Sequence, residues 1–257
     1  MRLTILGSGT SFGVPVIACE CHVCTSTDGR DHRTRVAAVI ETDAGKRLLI
    51  DTPPELRLQL VRTRIDTVDA VLYTHDHADH IHGIDDLRAI TVRRGALPVY
   101  GPVETLDRLV ERFGYIFDPR VVPPPETAKP LLTAHPIDAG QEVTVAGEVV
   151  LPLELDHGGT RVFGYRVGDM AYLTDVKSIP HDTRTLLDGV RVLVVNALLE
   201  RSHPTHLSID EAVEFALEVG AERTLLTHLT HKFSHTELAV RLPQGIEPAY
   251  DGLSVVF

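Results

Sequence analysis

The sequence predicts an α+β fold in which β-sheets are covered by helices. Short apolar runs of strand length recur along the chain, and segments with helical spacing separate several of them. The middle of the chain instead has consecutive strands with no helix between them. No linker, low-complexity segment or break in composition divides the chain. We therefore expect residues 1–257 to form a single domain.

The first half of the chain alternates between strands and helices. A turn containing glycine at 43–45 separates two strand-like runs, and a pair of prolines at 53–54 stands where a helix can begin. In chain order, we predict the strands Leu3–Leu6, Val36–Glu41, Arg47–Asp51, Ala70–Thr74 and Leu97–Tyr100, with helices at Glu55–Arg62 and Thr105–Phe113.

The second half begins with a proline-rich stretch, Pro119–Pro130, for which we predict an irregular loop. Alternation between strands and a helix returns only near the end of the chain. We predict the strands Val143–Val145, Val149–Leu155, Arg161–Val167 and Met170–Leu173, then the strand Val190–Val195, the helix Ile209–Glu218, and the strands Thr224–Thr227 and Leu253–Phe257.

The composition narrows the classes of function. A formal charge of −11, from 36 acidic and 25 basic residues, disfavours nonspecific attraction to nucleic acid. The chain has no tryptophan, and with 5% aromatic residues it has few platforms for base stacking. No apolar run reaches the roughly 20 residues that cross a bilayer, and the N-terminus lacks a secretory signal, so we expect a cytoplasmic protein. The 14 histidines indicate metal binding.

A cluster of potential metal ligands directly follows the apolar run Ala70–Thr74. It consists of His75, His77, Asp79 and His80. Imidazole nitrogens and carboxylate oxygens suit borderline divalent ions such as zinc, manganese or iron. The first two residues can bind one ion from a loop, and the next two, at the start of a helix, can bind a second. Further ligands must then come from elsewhere in the chain.

Candidates for those further ligands follow other strand-like runs. His157, Asp175 and His228 each end such a run, and His206 follows the strand and loop after Val195. Side chains at strand ends are held by a rigid scaffold, which a metal centre requires.

All three cysteines lie in one C-x-C-x-x-C cluster, Cys19, Cys21 and Cys24. Their odd number and the expected cytosolic location disfavour disulfides. The spacing suits three thiolate ligands of one tetrahedral zinc ion, and a reactive or redox trio is the alternative. His22 is too constrained between two of the cysteines to be the favoured fourth ligand.

The run from Thr74 to His80 and the order of the later candidates resemble the metallo-β-lactamase superfamily. The resemblance implies an αββα sandwich, with two mixed β-sheets flanked by helices and two metal ions at one edge. It implies one ion bound by His75, His77 and His157, a second bound by Asp79, His80 and His228, and Asp175 as the bridge between them. Asp51 matches an aspartate that orients a ligand histidine in this family, the alternative being an ordinary turn aspartate.

The segment 9–15, followed by the cysteine cluster, resembles the PhnP-like phosphodiesterases, although PqqB proteins have a similar cysteine loop. The likeness extends from Gly7 to Gly252. It implies a structural zinc that a late histidine completes, and His231 is the matching position. It also implies that His206 reaches the scissile phosphate. Asp79 and His206 are therefore the candidate catalytic residues, with His203 as the competitor of His206 for the role of general acid.

The leading hypothesis is a phosphodiesterase that cleaves a small cyclic phosphate or nucleotide-like diester, using a hydroxide shared by two manganese or zinc ions. The alternatives are an acyl hydrolase acting on a lactone or thioester, tRNA 3′ processing, and a non-catalytic metal-binding or carrier role of the PqqB type. The acidic charge argues against tRNA, and the intact ligand set argues against a carrier. We expect a small-molecule partner and neither a membrane nor a nucleic acid. The physiological substrate, the catalytic metals and the choice between monomer and homodimer stay open.

Other polar residues near these motifs receive weaker interpretations. Arg30, Arg33 and Arg35 can contact a substrate phosphate or form structural salt bridges, and the sequence does not separate the two roles. We expect six histidines to be exposed bystanders, namely His22, His32, His82, His135, His181 and His235.

Overall fold

The computed structural model describes residues 1–257 and contains fourteen strands and eight α-helices. The strands are β1 (Arg2–Gly7), β2 (Ala37–Glu41), β3 (Arg47–Ile50), β4 (Ala70–Leu72), β5 (Leu97–Gly101), β6 (Leu132–Pro136), β7 (Val143–Val145), β8 (Glu148–Asp156), β9 (Arg161–Val167), β10 (Met170–Leu173), β11 (Val192–Asn196), β12 (Arg223–Thr227), β13 (Ile246–Pro248) and β14 (Ser254–Val256).

The helices are mostly short. They are α1 (Leu56–Thr63), α2 (Ala78–Ile81), α3 (Arg88–Arg94), α4 (Val103–Arg112), α5 (Gly114–Phe117), α6 (His181–Thr185), α7 (Ile209–Val219) and α8 (His235–Ala239), with 3₁₀ turns at Gly29–Asp31 and Ile84–Leu87. None of them is long and apolar enough to cross a lipid bilayer.

The strands form two seven-stranded sheets. The first has the order β14-β1-β2-β3-β4-β5-β6, and the second has the order β13-β12-β11-β10-β9-β8-β7. Each sheet is mixed. The strands β3 to β6 are parallel in the first sheet and β10 to β13 in the second, while the remaining pairs are antiparallel. Parallel strands bring their carboxyl ends to the same edge, so the loops that follow them meet there.

The sheets pack face to face, and helices cover the outer face of each. Strand β2 shows how the sequence achieves this, because its successive residues point to opposite faces. Ala38 and Ile40 belong to a buried cluster shared by the two sheets. Ala37 and Val39 belong to another, which includes apolar residues of α1 to α5. The second sheet has a matching outer cluster with residues of α7 and α8, such as Phe215. The expected αββα sandwich is therefore confirmed.

Two strands were not predicted from the sequence, and both lie at sheet edges. Strand β6 has mostly half-buried or exposed residues, so it lacks a clear apolar run. Strand β13 has only three residues and ends in Pro248. Edge strands need fewer apolar residues and tolerate proline, which removes the sequence signal. The stretch 119–130 is irregular, as predicted.

Candidate metal centre

The predicted ligands meet where neighbouring strands end. His157 directly follows β8, and His228 directly follows β12. Asp175 lies two residues beyond β10, and His75 lies three residues beyond β4. His77 precedes the short helix α2, which carries Asp79 and His80. Every residue of the cluster therefore lies at the end of a strand, or in the loop and first helical turn that follow a strand.

The ligand atoms form two groups. His75, His77 and His157 converge with Asp175 in one group, in which the ligand atoms all lie within 4.8 Å of one another. In the other, Asp79, His80 and His228 converge with the same Asp175. These are the two sets that the resemblance implied.

Asp175 faces both groups with different oxygens. Its Oδ2 lies 3.8 Å from Nε2 of His75. Its Oδ1 lies 3.5 Å from Nε2 of His80 and 3.4 Å from Nε2 of His228. Such distances are long for hydrogen bonds. A nitrogen and an oxygen that bind one tetrahedral ion at about 2.0–2.2 Å lie roughly 3.4 Å apart, so the spacing suits ligands around an ion.

The negative charges buried in this cluster favour the binding of cations. Asp51 and Asp175 are buried, and the side chain of Asp79 is 13% exposed. Their ion-pair partners are histidines, with no lysine or arginine among them. Burying an isolated carboxylate costs free energy, because the charge loses its hydration. Nε2 of His80 and Nε2 of His228 are also buried without hydrogen-bond partners. Divalent ions between these groups would satisfy both the charges and the nitrogens, so the residues fit a metal centre.

The pKa shifts follow from the same crowding. Burial lowers the pKa of His75 well below its usual range and also lowers that of His157, which favours the neutral imidazoles that metals bind. Burial also opposes a charge on His80, but the carboxylates of Asp175, Asp79 and Asp51 outweigh it and raise the pKa of His80 well above its usual range. The direction of this shift reflects the three carboxylates that surround His80.

Hydrogen bonds behind the cluster fix the orientation of the histidine rings. Oδ2 of Asp51 lies 2.7 Å from Nδ1 of His80, and Oδ1 accepts the backbone N–H of Thr74 at 2.9 Å. Nδ1 of His157 lies 2.7 Å from the carbonyl oxygen of Thr205 and can donate to it. In both rings Nδ1 then carries the proton and Nε2 is left for a metal.

Three residues at this edge have a strained backbone conformation. Asp51, Asp175 and His228 have φ angles of 61°, 54° and 57°, in the left-handed region. Non-glycine residues there cost roughly 1–3 kcal/mol each and persist only where the surroundings enforce them. Each of the three turns the chain sharply at the end of a strand, and each places a side chain in the cluster.

The cysteine cluster closes around His231. Nδ1 of this residue lies 3.3 Å from Sγ of Cys19, 3.4 Å from Cys21 and 3.3 Å from Cys24. Ligands at about 2.3 Å (sulfur) and 2.0–2.1 Å (nitrogen) from a tetrahedral zinc are roughly 3.6 Å apart, so the four atoms are spaced to fit one ion. His22 instead pairs with Glu237 at the surface.

The two clusters are joined by a short segment. Leu229, between His228 and His231, donates its N–H to Ser8 and accepts from Thr10, which ties it to the N-terminal loop. Gly9 packs against the same region, and a Cβ there would lie 2.5 Å from the carbonyl oxygen of Arg33.

The three arginines considered from the sequence have structural partners. Arg33 is buried and donates to the carbonyl oxygens of Thr230 and Phe233. Arg30 pairs with an aspartate two residues earlier, and Arg35 pairs with the glutamate that precedes α1. All three therefore have the salt-bridge or hydrogen-bonding role that the sequence had left open.

One of the six histidines expected to be exposed is buried. His235 is 8% exposed and packs edge-on against Tyr250, with ring centroids 5.4 Å apart. Its backbone N–H donates to Asp31 at 2.6 Å. No local pattern predicts this burial, because His235 becomes buried only through contacts with distant parts of the chain.

Sequence reasoning also missed a clamp on the metal motif. Asp76, between His75 and His77, is buried and pairs with two arginines of helix α4. Nη1 of Arg108 lies 2.8 Å from Oδ1 of Asp76, and Nη2 of Arg112 lies 2.8 Å from Oδ2. Arg112 also donates to the carbonyl oxygen of Asp76 at 2.6 Å. The spacing of Arg108 and Arg112 by four residues, on one face of a helix, was the available signal.

His206 and His203 lie beside the two groups that share Asp175, which together are called the dinuclear cluster below because they offer two sets of ligand atoms. Nε2 of His206 is 3.3 Å from Oδ2 of Asp175, and its Nδ1 is 2.8 Å from the hydroxyl of Thr205. Burial lowers the pKa of His206, and the hydrogen bond that its ring can donate to Asp175 opposes that effect. The ring of His203 lies 5.4 Å from that of His206 and makes no contact with Asp175. Of the two candidates, His206 is the one that contacts the cluster.

Comparisons with known proteins agree with this architecture. The model of a beta-lactamase superfamily domain matches residues 46–229. The crystal structure of a new diphosphatase from the PhnP family superposes with a TM-score of 0.91 at 39% identity, covering 100% of this chain and 97% of that one. Zinc-bound PqqB from Methylobacterium extorquens has a TM-score of 0.82 over 100% of both chains, but at 18% identity it shows only the shared fold.

A relative of known sequence has a name that indicates a different activity. An octanoyltransferase from Porphyromonas gingivalis is 42% identical over 258 residues, which are 100% of this chain and 51% of that protein. The chain thus spans about half the length of this relative. The family match over most of the chain, the two sheets and the His and Asp groups at their edge lead to one conclusion: the chain belongs to the beta-lactamase superfamily, with the metallo-β-lactamase fold.

Proposed function

We propose that this chain is a metal-dependent phosphodiesterase that acts on a small diester. Asp175 carries the proposal, because its two oxygens face two separate histidine groups while His206 contacts the same carboxylate. The likeness to a PhnP-family diphosphatase over the whole chain favours attack at phosphorus.

The residues assigned to metals follow from the two groups. His75, His77 and His157 would hold one divalent ion, Asp79, His80 and His228 the other, and Asp175 both. The cysteine cluster and His231 would hold a structural zinc. When bound, a pair of divalent ions supplies charge that activates water at neutral pH and stabilises negative charge developing on the phosphate. Manganese and zinc both suit the catalytic ligands.

His206 has the proton-transfer role in this proposal. The oxygen of a hydroxide, formed when a water molecule loses a proton to solvent, bonds to phosphorus, the bond from phosphorus to the departing oxygen breaks, and that departing oxygen takes up a proton. Nε2 of His206 is positioned to donate it, since Thr205 and Asp175 hold the ring from both sides. Burial lowers the pKa of His206, and the carboxylate of Asp175 opposes this effect, so the contact with Asp175 favours the protonated ring that a general acid requires.

A substrate panel tests the reaction type. The protein, loaded with manganese or zinc, is assayed with bis(p-nitrophenyl) phosphate, a nucleoside diphosphate, p-nitrophenyl acetate and a lactone. We expect phosphodiester cleavage to have the highest kcat/KM. Faster cleavage of the ester or lactone, with no turnover of the diester, would contradict the proposal. Cleavage of the diphosphate alone would keep attack at phosphorus but change the substrate class.

A second candidate function is hydrolysis of a thioester. The whole chain is 42% identical to half of a protein named octanoyltransferase, and a pocket that adjoins the cluster has an apolar wall formed by Phe12, Val16, Leu198 and Leu199. An acyl chain would suit such a pocket. Adding octanoyl-coenzyme A to the panel separates the two candidates, because release of the free thiol faster than diester cleavage would favour the acyl hydrolase.

A further inference from the structure

A pocket of about 380 Å³ lies between the two ligand clusters. His206 and His228 line it on the dinuclear side, and His231 lines it on the side of the cysteines. Its remaining wall comes from the N-terminal loop, the β11–α7 loop and the segment after β12. Because it opens beside the proposed scissile bond, the pocket is placed to receive a substituent of the substrate.

One wall of the pocket is apolar, and Phe12 stands at its mouth. The ring of Phe12 is 73% exposed, although large aromatic side chains are usually buried. The loop that presents it is well anchored. Gly13 donates its N–H to Thr10 at 2.8 Å, which closes a tight turn around Phe12, and Thr10 donates to Leu229 at 3.1 Å. An exposed aromatic ring on an anchored turn can cover an apolar ligand without reorganising.

The charge of the pocket is unlike that of the chain. The chain carries a net charge of −11, yet none of the twelve residues that line the pocket is Asp or Glu. Lys232 is the one lysine or arginine among them, and its ammonium group makes no ion pair or hydrogen bond. An unpaired cation in a pocket without carboxylates favours a negatively charged ligand.

Lys232 and His228 lie close together along the chain. Lys232 follows His228 by four residues, so their Cα atoms are at most about 14 Å apart. Both residues line the same pocket, together with the residues of its apolar wall.

We propose that the substrate has an ester substituent with an apolar body and a negatively charged end. The body lies against Phe12 and Leu199, and the charge lies at Lys232. This inference rests on the proposed phosphodiesterase activity and adds the identity of the group next to the scissile phosphate. It makes Phe12 and Lys232 specificity-determining residues outside the metal ligands.

The test compares p-nitrophenyl phosphodiesters that share one leaving group. Their second substituent is methyl, phenyl, 4-carbamoylphenyl or 4-carboxyphenyl. For the wild-type protein we expect kcat/KM to rise from methyl to phenyl and to be highest for 4-carboxyphenyl. The 4-carbamoylphenyl diester has nearly the same shape without the charge, so it isolates the contribution of Lys232.

Two variants assign the preferences to residues. Phe12→Ala should reduce the preference for phenyl over methyl by about 3- to 10-fold, the range of an aromatic contact. Lys232→Met should remove the preference for carboxyl over carbamoyl, and Lys232→Glu should reverse it. Leu58→Ala and Lys46→Met change an exposed leucine and an exposed lysine outside the pocket, and they should leave both preferences unchanged.

The outcomes separate this inference from the proposed function. Equal kcat/KM for all four diesters, or preferences that survive in both pocket variants, would overturn the inference while leaving the phosphodiesterase in place. Turnover of none of the diesters, including the methyl compound that makes no use of the pocket, would overturn the proposed function and the inference with it.

Discussion

The dinuclear cluster and the cysteine cluster share the segment His228–His231 but are held in different ways. The ligands of the first emerge from strand ends of two packed sheets, and most are buried. Those of the second belong to a loop with little regular structure, where Cys19 and Cys21 are only half-buried. The apolar support of that loop is a cluster of three buried residues, Val14, Val23 and Cys24.

Under the proposed function, this difference corresponds to two uses of metal ligands. At the sheet edge, the scaffold holds strained residues in place, so the ligands can be positioned before an ion binds. In the cysteine loop only three buried residues form the apolar core, and a bound ion would supply much of the stability. Loss of a ligand should therefore affect chemistry in one region and stability in the other.

The largest effect is expected at Asp175. Asp175→Ala removes the carboxylate that both histidine groups share, so both catalytic ions should bind weakly and phosphodiester cleavage should fall below detection. Elemental analysis should still find close to one zinc per chain, held by the cysteine cluster. Asp182→Ala, at an exposed position on α6, is the control. Near-normal turnover by Asp175→Ala would show that this residue is not the bridge.

Replacement of His206 should have the next largest effect. His206→Ala should reduce kcat by roughly 10²–10⁴-fold for a diester with a poor leaving group, since general acid catalysis has that magnitude. The loss should be much smaller for a p-nitrophenyl leaving group, which departs without protonation. His203→Ala is the matched comparison, because its ring neighbours His206 without contacting Asp175. An equal loss for both leaving groups would remove the assignment of His206 as the acid.

Replacement of Asp51 tests whether its hydrogen bond with His80 supports metal binding in the dinuclear cluster. Asp51→Asn leaves the volume nearly unchanged but replaces one carboxylate oxygen near Nδ1 of His80 by an amide. Such changes behind a ligand typically weaken metal binding by about 10–100-fold. Competition with a chelator, followed by recovery of activity at high metal concentration, measures this. A loss that excess metal does not restore would indicate that Asp51 serves the fold instead.

The strands and the candidate ligands at their ends were predictable for a local reason, whereas the two sheets and the two ligand sets came from the family resemblance. Each of His157 and His228 directly follows an apolar run, so the strand and its terminal ligand are adjacent in the chain. The partners of Arg33 were not predictable in this way. It binds carbonyl oxygens 197 and 200 residues away, and only the packing of the N-terminal loop against the segment after β12 creates that site. The clamp on Asp76 likewise depends on where α4 packs.

His228 and His231 give the sharpest contrast between the clusters. His228→Ala should abolish activity with little change in Tm. His231→Ala should release zinc from the cysteines and lower Tm by at least about 5 °C, because the loop loses its cross-link. Zinc release and thermal melting of both variants decide this. Equal loss of stability, or retention of zinc after His231→Ala, would place the fourth zinc ligand elsewhere, with His22 as the next candidate.

The smallest expected difference concerns two helix caps, one near each cluster. Ser208 begins α7 just after His206, and Ser234 begins α8 just after the cysteine-binding segment. Both form capping boxes, with Glu211 and Glu237 as the reciprocal partners. Replacing a serine cap by alanine costs about 0.5–2 kcal/mol. Ser208 is 3% exposed and caps eleven residues, whereas Ser234 is half-buried and caps five.

We therefore expect the stability cost of Ser208→Ala to lie near the upper end of that range and that of Ser234→Ala near the lower end.

The two variants should be compared at pH 7. Burial raises the pKa of Glu211, but the hydrogen bond from Lys177 outweighs it and brings the value to about 2. The pKa of a glutamate in the unfolded chain is about 4.3. The stabilisation by Glu211 is thus complete above that value and is lost as the pH falls toward 2. Denaturant unfolding of both variants gives the two costs, and a larger cost for Ser234→Ala would show that the loop region depends on its local cap more than the sandwich does.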